Sequence, residues 1–295
     1  MHDLWKHHLW GIFLLITLAF TQALLCAEEK TSPSKFLTLW AGMLPVILAA
    51  PHGGRESLPT IGVRRGIGVA GFATGRDHNT DELAEIMAFK IHEKLAAKPF
   101  LIVARFDRKY VDANRPRKEA YESEAARPYY DAYHSALQHA CAQVRWSWGR
   151  GLLLDIHGQG SDADTIFRGT GNGRSVSDLL DRFGKQALAG PKSVLGQMEL
   201  RGYRIAPAGL GDQREQRYTG GYTTRTYGSH QGTRVDAIQL ELGTNLRSRQ
   251  NLERTASDLA DAVQIFAREY LLLSDRPLSS DSWQPNPNLD GFQRN

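Results

Sequence analysis

Four apolar runs of strand length constrain this chain of 295 residues most: Val-Ile-Leu-Ala-Ala at 46–50, Phe-Leu-Ile-Val-Ala at 100–104, Leu-Leu-Leu-Asp-Ile at 152–156 and Ala-Ile-Gln-Leu-Glu-Leu at 237–242. The first three are nearly continuous in apolar residues, which suits strands covered on both faces of a mostly parallel sheet. Stripes of helical period separate them. Residues 80–95 put Leu83, Ile86, Met87, Ile91 and Leu95 on one face behind a cap at Asn79 or Thr80, and 129–146, 176–188 and 250–272 repeat the pattern. The alternation predicts an α/β fold, a three-layer sandwich around a mixed, mostly parallel central sheet, whose ligands bind beyond the carboxyl ends of the strands.

Those ends carry the polar residues. Pro51-His52-Gly53-Gly54-Arg55-Glu56 follows the first run, and the third passes into Asp155-Ile156-His157-Gly158, so each delivers a histidine beside glycine. His52, Glu56 and His157 together offer two imidazoles and a carboxylate, a ligand set that catalytic zinc uses while keeping a position open for water or substrate. The two glycines let the backbone turn and bring His52 and Glu56 toward one point; the alternative is a plain turn with a solvated Glu56. Asp155, two residues before His157, shares its face in a strand and is placed to orient it.

Glu241 is a lone carboxylate among aliphatic neighbours. Burial raises its pKa and a nearby cation lowers it, a balance that suits a group which takes a proton from water and passes it on. Between 105 and 116 lie Arg105, Arg108, Asp112, Asn114 and Arg115. A guanidinium clasps a carboxylate through two parallel hydrogen bonds, so Asn114-Arg115, with Arg108 nearby, reads as an anchor for an acidic substrate. Asp77 and His78 read as capping groups, with Asp77 a reserve site residue. The stretch 218–230, rich in glycine, hydroxyl and aromatic residues, reads either as a mobile cover over a pocket or as a surface loop.

Composition bounds the partners. Net charge +4 arises from scattered arginines without a dense basic block, which argues against nucleic acid and accommodates a small acidic substrate. Residues 1–27 read as a signal peptide: Lys6, His7 and His8 precede an apolar run from Leu9 that turns charged at Glu28, and the run is shorter than the roughly 20 residues a spanning helix needs. The alternative is a retained membrane anchor; removal of the leader gives a secreted or periplasmic protein with no stable membrane insertion. Residues 28–273 then form a single catalytic domain, without repeat or internal linker, and 274–295, with Pro277, Pro285 and Pro287, an irregular tail. Cys26 and Cys141 are the two cysteines, so loss of the leader leaves no intramolecular disulfide and Cys141 reads as a buried structural thiol. The sequence sets no oligomeric state.

In their order, Pro51-His52-Gly53-Gly54, the helix start at 77–84, Val111-Asp112-Ala113-Asn114-Arg115-Pro116, Asp155-Ile156-His157-Gly158 and Gln239-Leu240-Glu241 resemble the N-formylglutamate amidohydrolase family and, more remotely, zinc carboxypeptidases and succinylglutamate desuccinylases. The resemblance implies a zinc-exopeptidase-like fold with Zn2+ on His52, Glu56 and His157, a substrate carboxylate on Asn114 and Arg115, Glu241 as general base, and Arg105 as the cation that stabilises an oxyanion. In the carboxypeptidase pattern the first ligand pair, His and Glu, is separated by two residues; His52 and Glu56 are separated by three. The function implied is hydrolysis of an amide in an N-acyl acidic amino acid or a carboxylate-bearing peptide. The rival is a non-catalytic secreted binding protein on the same scaffold that recognises a carboxylate ligand. A serine hydrolase built on Ser161 or Ser229 lacks the Gly-x-Ser-x-Gly elbow.

Overall fold

The computed structural model describes residues 33–210 and 214–271; the leader at 1–27 and the tail at 274–295 lie outside the described residues. Seven strands form one sheet: β1 (Leu37–Trp40), β2 (Val46–Ala50), β3 (Phe100–Ala104), β4 (Gly151–Gly158), β5 (Thr165–Gly169), β6 (Arg204–Ala206) and β7 (Val235–Leu242), in the order β1-β3-β2-β4-β7-β5-β6. The central four, β3, β2, β4 and β7, are parallel, while β1 and β5 pair antiparallel with their inner neighbours. The four apolar runs are these central strands, every residue of β2, β3 and β7 being buried. The mixed, mostly parallel sheet expected from the sequence is borne out.

Helices cover both faces, and strand alternation decides which side chain meets which layer. Leu48, Leu154, Ile156, Leu240 and Leu242 share one apolar core with the Thr80–Leu95, Val194–Leu200 and Leu252–Tyr270 helices. Ile47, Ala49, Leu153 and Ala237 face the other way into a core with Tyr133, Leu137 and Val144 of the Arg127–Trp148 helix. No described helix is long and apolar enough to cross a membrane.

Three expectations shift. The 176–188 stripe divides into the helices Ser177–Phe183 and Gln186–Ala189, with Gly184 between them at φ 69°. The 218–230 stretch contains the short helix Tyr222–Tyr227, with Thr223, Thr224 and Tyr227 buried, rather than running as one loop. Neither Asn79 nor Thr80 caps the helix at 80 through its side chain; Asn79 Nδ2 donates to the Arg247 carbonyl and Thr80 Oγ1 to that of Asp77.

The order of the central strands positions the site. From β2 the chain crosses to β3 on one side, then returns to place β4 on the other, so the crevice between the ends of β2 and β4 is a switch point where such sheets bind ligands. His52 lies two residues beyond the end of β2, and His157 is the penultimate residue of β4.

Candidate metal centre

His52 and His157 meet at that crevice, with ring centroids 4.7 Å apart at 75°. Gly53 and Gly54 serve close approach: a Cβ on Gly53 would lie 2.4 Å from the Asp81 amide nitrogen, and one on Gly54 2.4 Å from the Arg105 carbonyl carbon. The backbone leaving β2 is thereby wedged between the start of the Thr80–Leu95 helix and the end of β3, and the imidazole is left over the sheet edge.

The carboxylate that joins the two imidazoles is Asp77. Its amide donates to the His52 carbonyl at 3.1 Å, tying the two loops, and its Oδ2 accepts the Gly158 N–H at 3.1 Å. The same Oδ2 lies 3.1 Å from His157 Nδ1 and 3.4 Å from His52 Nδ1, and the two Nδ1 atoms are 3.1 Å apart. Three ligand atoms of buried side chains therefore face one point, and His52, Asp77 and His157 are the described group able to hold a metal ion. Zinc bonds of roughly 2.0–2.1 Å at tetrahedral angles put neighbouring ligand atoms about 3.3 Å apart.

The far side of each ring fixes its orientation. His52 Nε2 is 2.7 Å from Asp112 Oδ1, and His157 Nε2 is 3.0 Å from Asp155 Oδ2. A ring that donates Nε2–H to a carboxylate presents a bare Nδ1, the arrangement that holds metal-ligating histidines. Two such Nδ1 lone pairs and a carboxylate oxygen then repel one another unless a cation lies between them. A proton on an imidazole meets the same demand. Burial pushes the Asp77 carboxyl up, but hydrogen bonds from His157 and His52 and their charge outweigh it and hold the group well below the usual range. Burial lowers His157, and the Asp155, Asp77 and Glu241 carboxylates overcome it, raising that imidazole well above its ordinary value.

Asp112 is itself held. Its Oδ2 accepts from Arg108 Nε and Nη2, both at 2.9 Å, with Arg64 Nη2 at 3.8 Å and Arg115 Nε at 3.9 Å. Burial opposes ionisation, but His52, Arg108 and Arg64 carry the carboxyl far below its ordinary value. Three guanidiniums around one carboxylate leave a cationic wall beside the histidines, and Arg108 Nη1 reaches to 3.8 Å from Asp77 Oδ1. Arg64 is buried, donates to the carbonyls of Arg108 and Ala73, and stacks over Phe72.

Glu241 completes the row. It is the register partner of His157 on β7, 7% exposed, and accepts from Gln239 Nε2 at 2.5 Å. Burial raises its pKa, His157 pulls it down and Asp77 pushes it up, for a net rise. Between β4 and β5 it is far from an edge strand. Arg247 packs behind it, donating to the carbonyls of Leu242, His78 and Gln159.

Two expected roles, those of Glu56 and Arg105, are corrected by position. Glu56 does not join the histidines: it is exposed, and its backbone pairs in extended form alongside β3, accepting from the Asp107 amide and donating to the Arg105 carbonyl. Asp77 stands in its place. Arg105 does not face the site, because alternation from Phe100 to Ala104 turns position 105 toward the opposite helix layer; its guanidinium is engaged by Thr38, Asp81 and Glu85. Asn114 lies in the site with its amide already occupied. Its Oδ1 accepts the Thr223 N–H at 2.8 Å and its Nδ2 lies 3.0 Å from His157 Nε2, while Arg115 Nη2 donates to the Gly71 carbonyl at 2.6 Å. The sequence reading missed the roles of Asp112 and Arg64. Spacing signals the first, since Asp112 sits two residues from Asn114, but nothing local marks the second.

Two solved structures share the fold. The N-formylglutamate amidohydrolase of Ralstonia eutropha JMP134 is 18% identical, with a TM-score of 0.54 over 79% of this chain and 98% of that one. The gene product Atu2144 of Agrobacterium tumefaciens is 16% identical, with a TM-score of 0.55 over 82% of this chain and 97% of that one. At such identities the likeness shows the fold alone. No curated protein sequence matches this chain. The sequence model of the N-formylglutamate amidohydrolase family matches residues 117–246, a stretch that contains Asp155, His157 and Glu241, and the resemblance read from the motifs is thereby borne out.

Proposed function

We propose that this chain is a zinc-dependent amidohydrolase, exported by its leader, that hydrolyses the amide of an N-acyl acidic amino acid or a carboxylate-bearing peptide. The observation that carries it is the convergence of His52 Nδ1, His157 Nδ1 and Asp77 Oδ2 within 3.4 Å of one another, each imidazole backed by its own carboxylate. Zinc held by such residues lowers the pKa of water and polarises a carbonyl. The remaining work belongs to the chain. Glu241 accepts a proton from the attacking water and returns it to the leaving amine nitrogen as the carbon–nitrogen bond breaks; its raised pKa suits both transfers. Asp112 and Asp155 keep the imidazoles aimed, and Arg108 and Arg115 supply the positive charge that attracts a substrate carboxylate. The apolar leader at residues 1–27 supports export and a substrate met outside the cytoplasm, and the family match supports amide hydrolysis.

Metal analysis with a panel of N-acyl amino acids and peptides tests the reading. One zinc per chain is expected, lost in Asp77→Asn and retained in Glu56→Gln, with turnover of an N-acyl acidic substrate. Absence of bound zinc in the intact chain overturns the metal centre. Zinc without turnover, but with saturable carboxylate binding, favours the binding-protein reading.

A further inference from the structure

Behind the candidate metal centre, four buried polar atoms have no protein partner: Asp155 Oδ1, Gln239 Oε1, Tyr133 Oη and Thr223 Oγ1. Their side chains are 5% exposed or less. Buried polar atoms are almost always satisfied by protein or ordered water, so several orphans in one neighbourhood ask for a shared explanation.

The fold places three of these residues beside one another and links the fourth to them through Asn114. Asp155 and Gln239 are register partners on β4 and β7 and point to the same face of the sheet. Tyr133 comes from the Arg127–Trp148 helix that packs on this face, and the charge of Asp155 acts on its phenol. Thr223 is held alongside by its amide, which donates to Asn114 Oδ1; Asn114 Nδ2 in turn lies 3.0 Å from His157 Nε2, the nitrogen next to Asp155 Oδ2. The segment before Thr223 also lies against Gly169, the register partner of Gln239 on β5: a Cβ on Gly169 would come within 2.5 Å of the Gly220 amide nitrogen.

Donor and acceptor chemistry selects the occupant. Asp155 Oδ1 accepts. Gln239 Oε1 also accepts, because the amide nitrogen of that side chain donates to Glu241. Tyr133 and Thr223 each bring a hydroxyl able to donate. Two acceptors and two donors match one water molecule, which gives two hydrogen bonds and receives two.

We propose that Tyr133 and Thr223 are positioning residues that, with Asp155 and Gln239, hold an ordered water behind His157. The water joins the carboxylate that orients His157 to the amide that orients Glu241, so one hydrogen-bonded node sets both the ligand and the base. The link to catalysis rests on the function proposed above; the node itself does not.

A crystal structure of the zinc-soaked full-length chain at a resolution that shows ordered solvent, with zinc affinity by chelator competition for Tyr133→Phe, Thr223→Val and Thr223→Ser, tests it. Expected is a water within hydrogen-bond distance of all four atoms. Loss of partners behind a metal-ligating histidine typically weakens binding about 10–100-fold, and one step further out we expect about 3–10-fold for Tyr133→Phe and Thr223→Val. Thr223→Ser restores the affinity because it restores the hydroxyl, and in the first two variants kcat falls while KM holds. A direct Tyr133–Asp155 hydrogen bond with no water between them overturns the proposal, as does equal behaviour of the Val and Ser variants. Solvent positions and affinity are read without turnover, so a chain that binds zinc but hydrolyses nothing refutes the enzyme and leaves this node to stand or fall. If the intact chain binds no zinc, or a variant does not fold, the solvent structure of the intact protein decides alone.

Discussion

The two faces of one sheet differ by a single residue of register and have opposite characters. On β4, Leu154 and Ile156 point into the core beneath the Thr80–Leu95 and Leu252–Tyr270 helices, while Leu153, Asp155 and His157 point toward the Arg127–Trp148 helix; on β7, Leu240 and Leu242 oppose Ala237, Gln239 and Glu241. The first face is apolar along β4 and most of β7, with Asp236 at its base and Arg105 just past the end of β3. The second is apolar at its base and ionisable toward the carboxyl ends. The contrast separates duties: one face contributes chiefly hydrophobic stabilisation, which allows the other to bury carboxylates and imidazoles whose desolvation opposes folding unless each is paired.

The comparison breaks if a change on the polar face unfolds the protein or one on the apolar face empties the site. The largest effect belongs to Glu241→Gln, expected to retain zinc and fold while turnover falls by about 10²–10⁴-fold, the usual contribution of a general base. Steady-state kinetics beside metal analysis checks it, and turnover near that of the unaltered chain removes Glu241 from the chemistry. Next is Leu154→Ala, fully buried on the other face, which should lower unfolding stability by about 2–5 kcal/mol in urea titration and leave zinc stoichiometry unchanged. Loss of metal in that variant would show that the faces are coupled.

The smallest effect sharpens the contrast. His134, beside the site, is held by the Ala113 carbonyl and the Tyr227 hydroxyl, and burial lowers its pKa to about 4 from 6.5. The neutral ring is the form that folds, so its contribution is complete above pH 6.5 and is lost as pH falls from there through 4, where the unfolded chain binds the extra proton. With partial exposure allowed for, this amounts to about 2 kcal/mol. Urea titrations of the intact chain and His134→Gln at pH 7 and pH 4.5 should differ by that amount in their pH dependence; parallel curves would refute it.

Much of the fold was legible because burial leaves a local mark. The central strands are apolar enough to be read at a glance, and Glu241 and His157 stand out because they interrupt such runs. The outer strands β1, β5 and β6 are not legible: they are short, and Leu37–Trp40 is only half-buried on every residue, so neither alternation nor a continuous apolar run marks them. Glu56 is the carboxylate nearer to His52 along the chain, across the Gly53-Gly54 turn. Nearness in sequence does not carry a side chain to a point once the backbone runs extended past β3, whereas Asp77, 25 positions beyond His52, returns through a backbone hydrogen bond.

The sequence by itself determined the parallel, doubly covered strands and the arrival of His52, His157 and Glu241 at their carboxyl ends, because period and burial are written in neighbouring residues. Only the tertiary structure decided that Asp77 joins the histidines, that Asp112 backs His52, and that Arg105 turns to the far layer. Those outcomes depend on the path of loops between distant segments and on which face of the sheet holds the site, quantities that no local pattern of residues encodes.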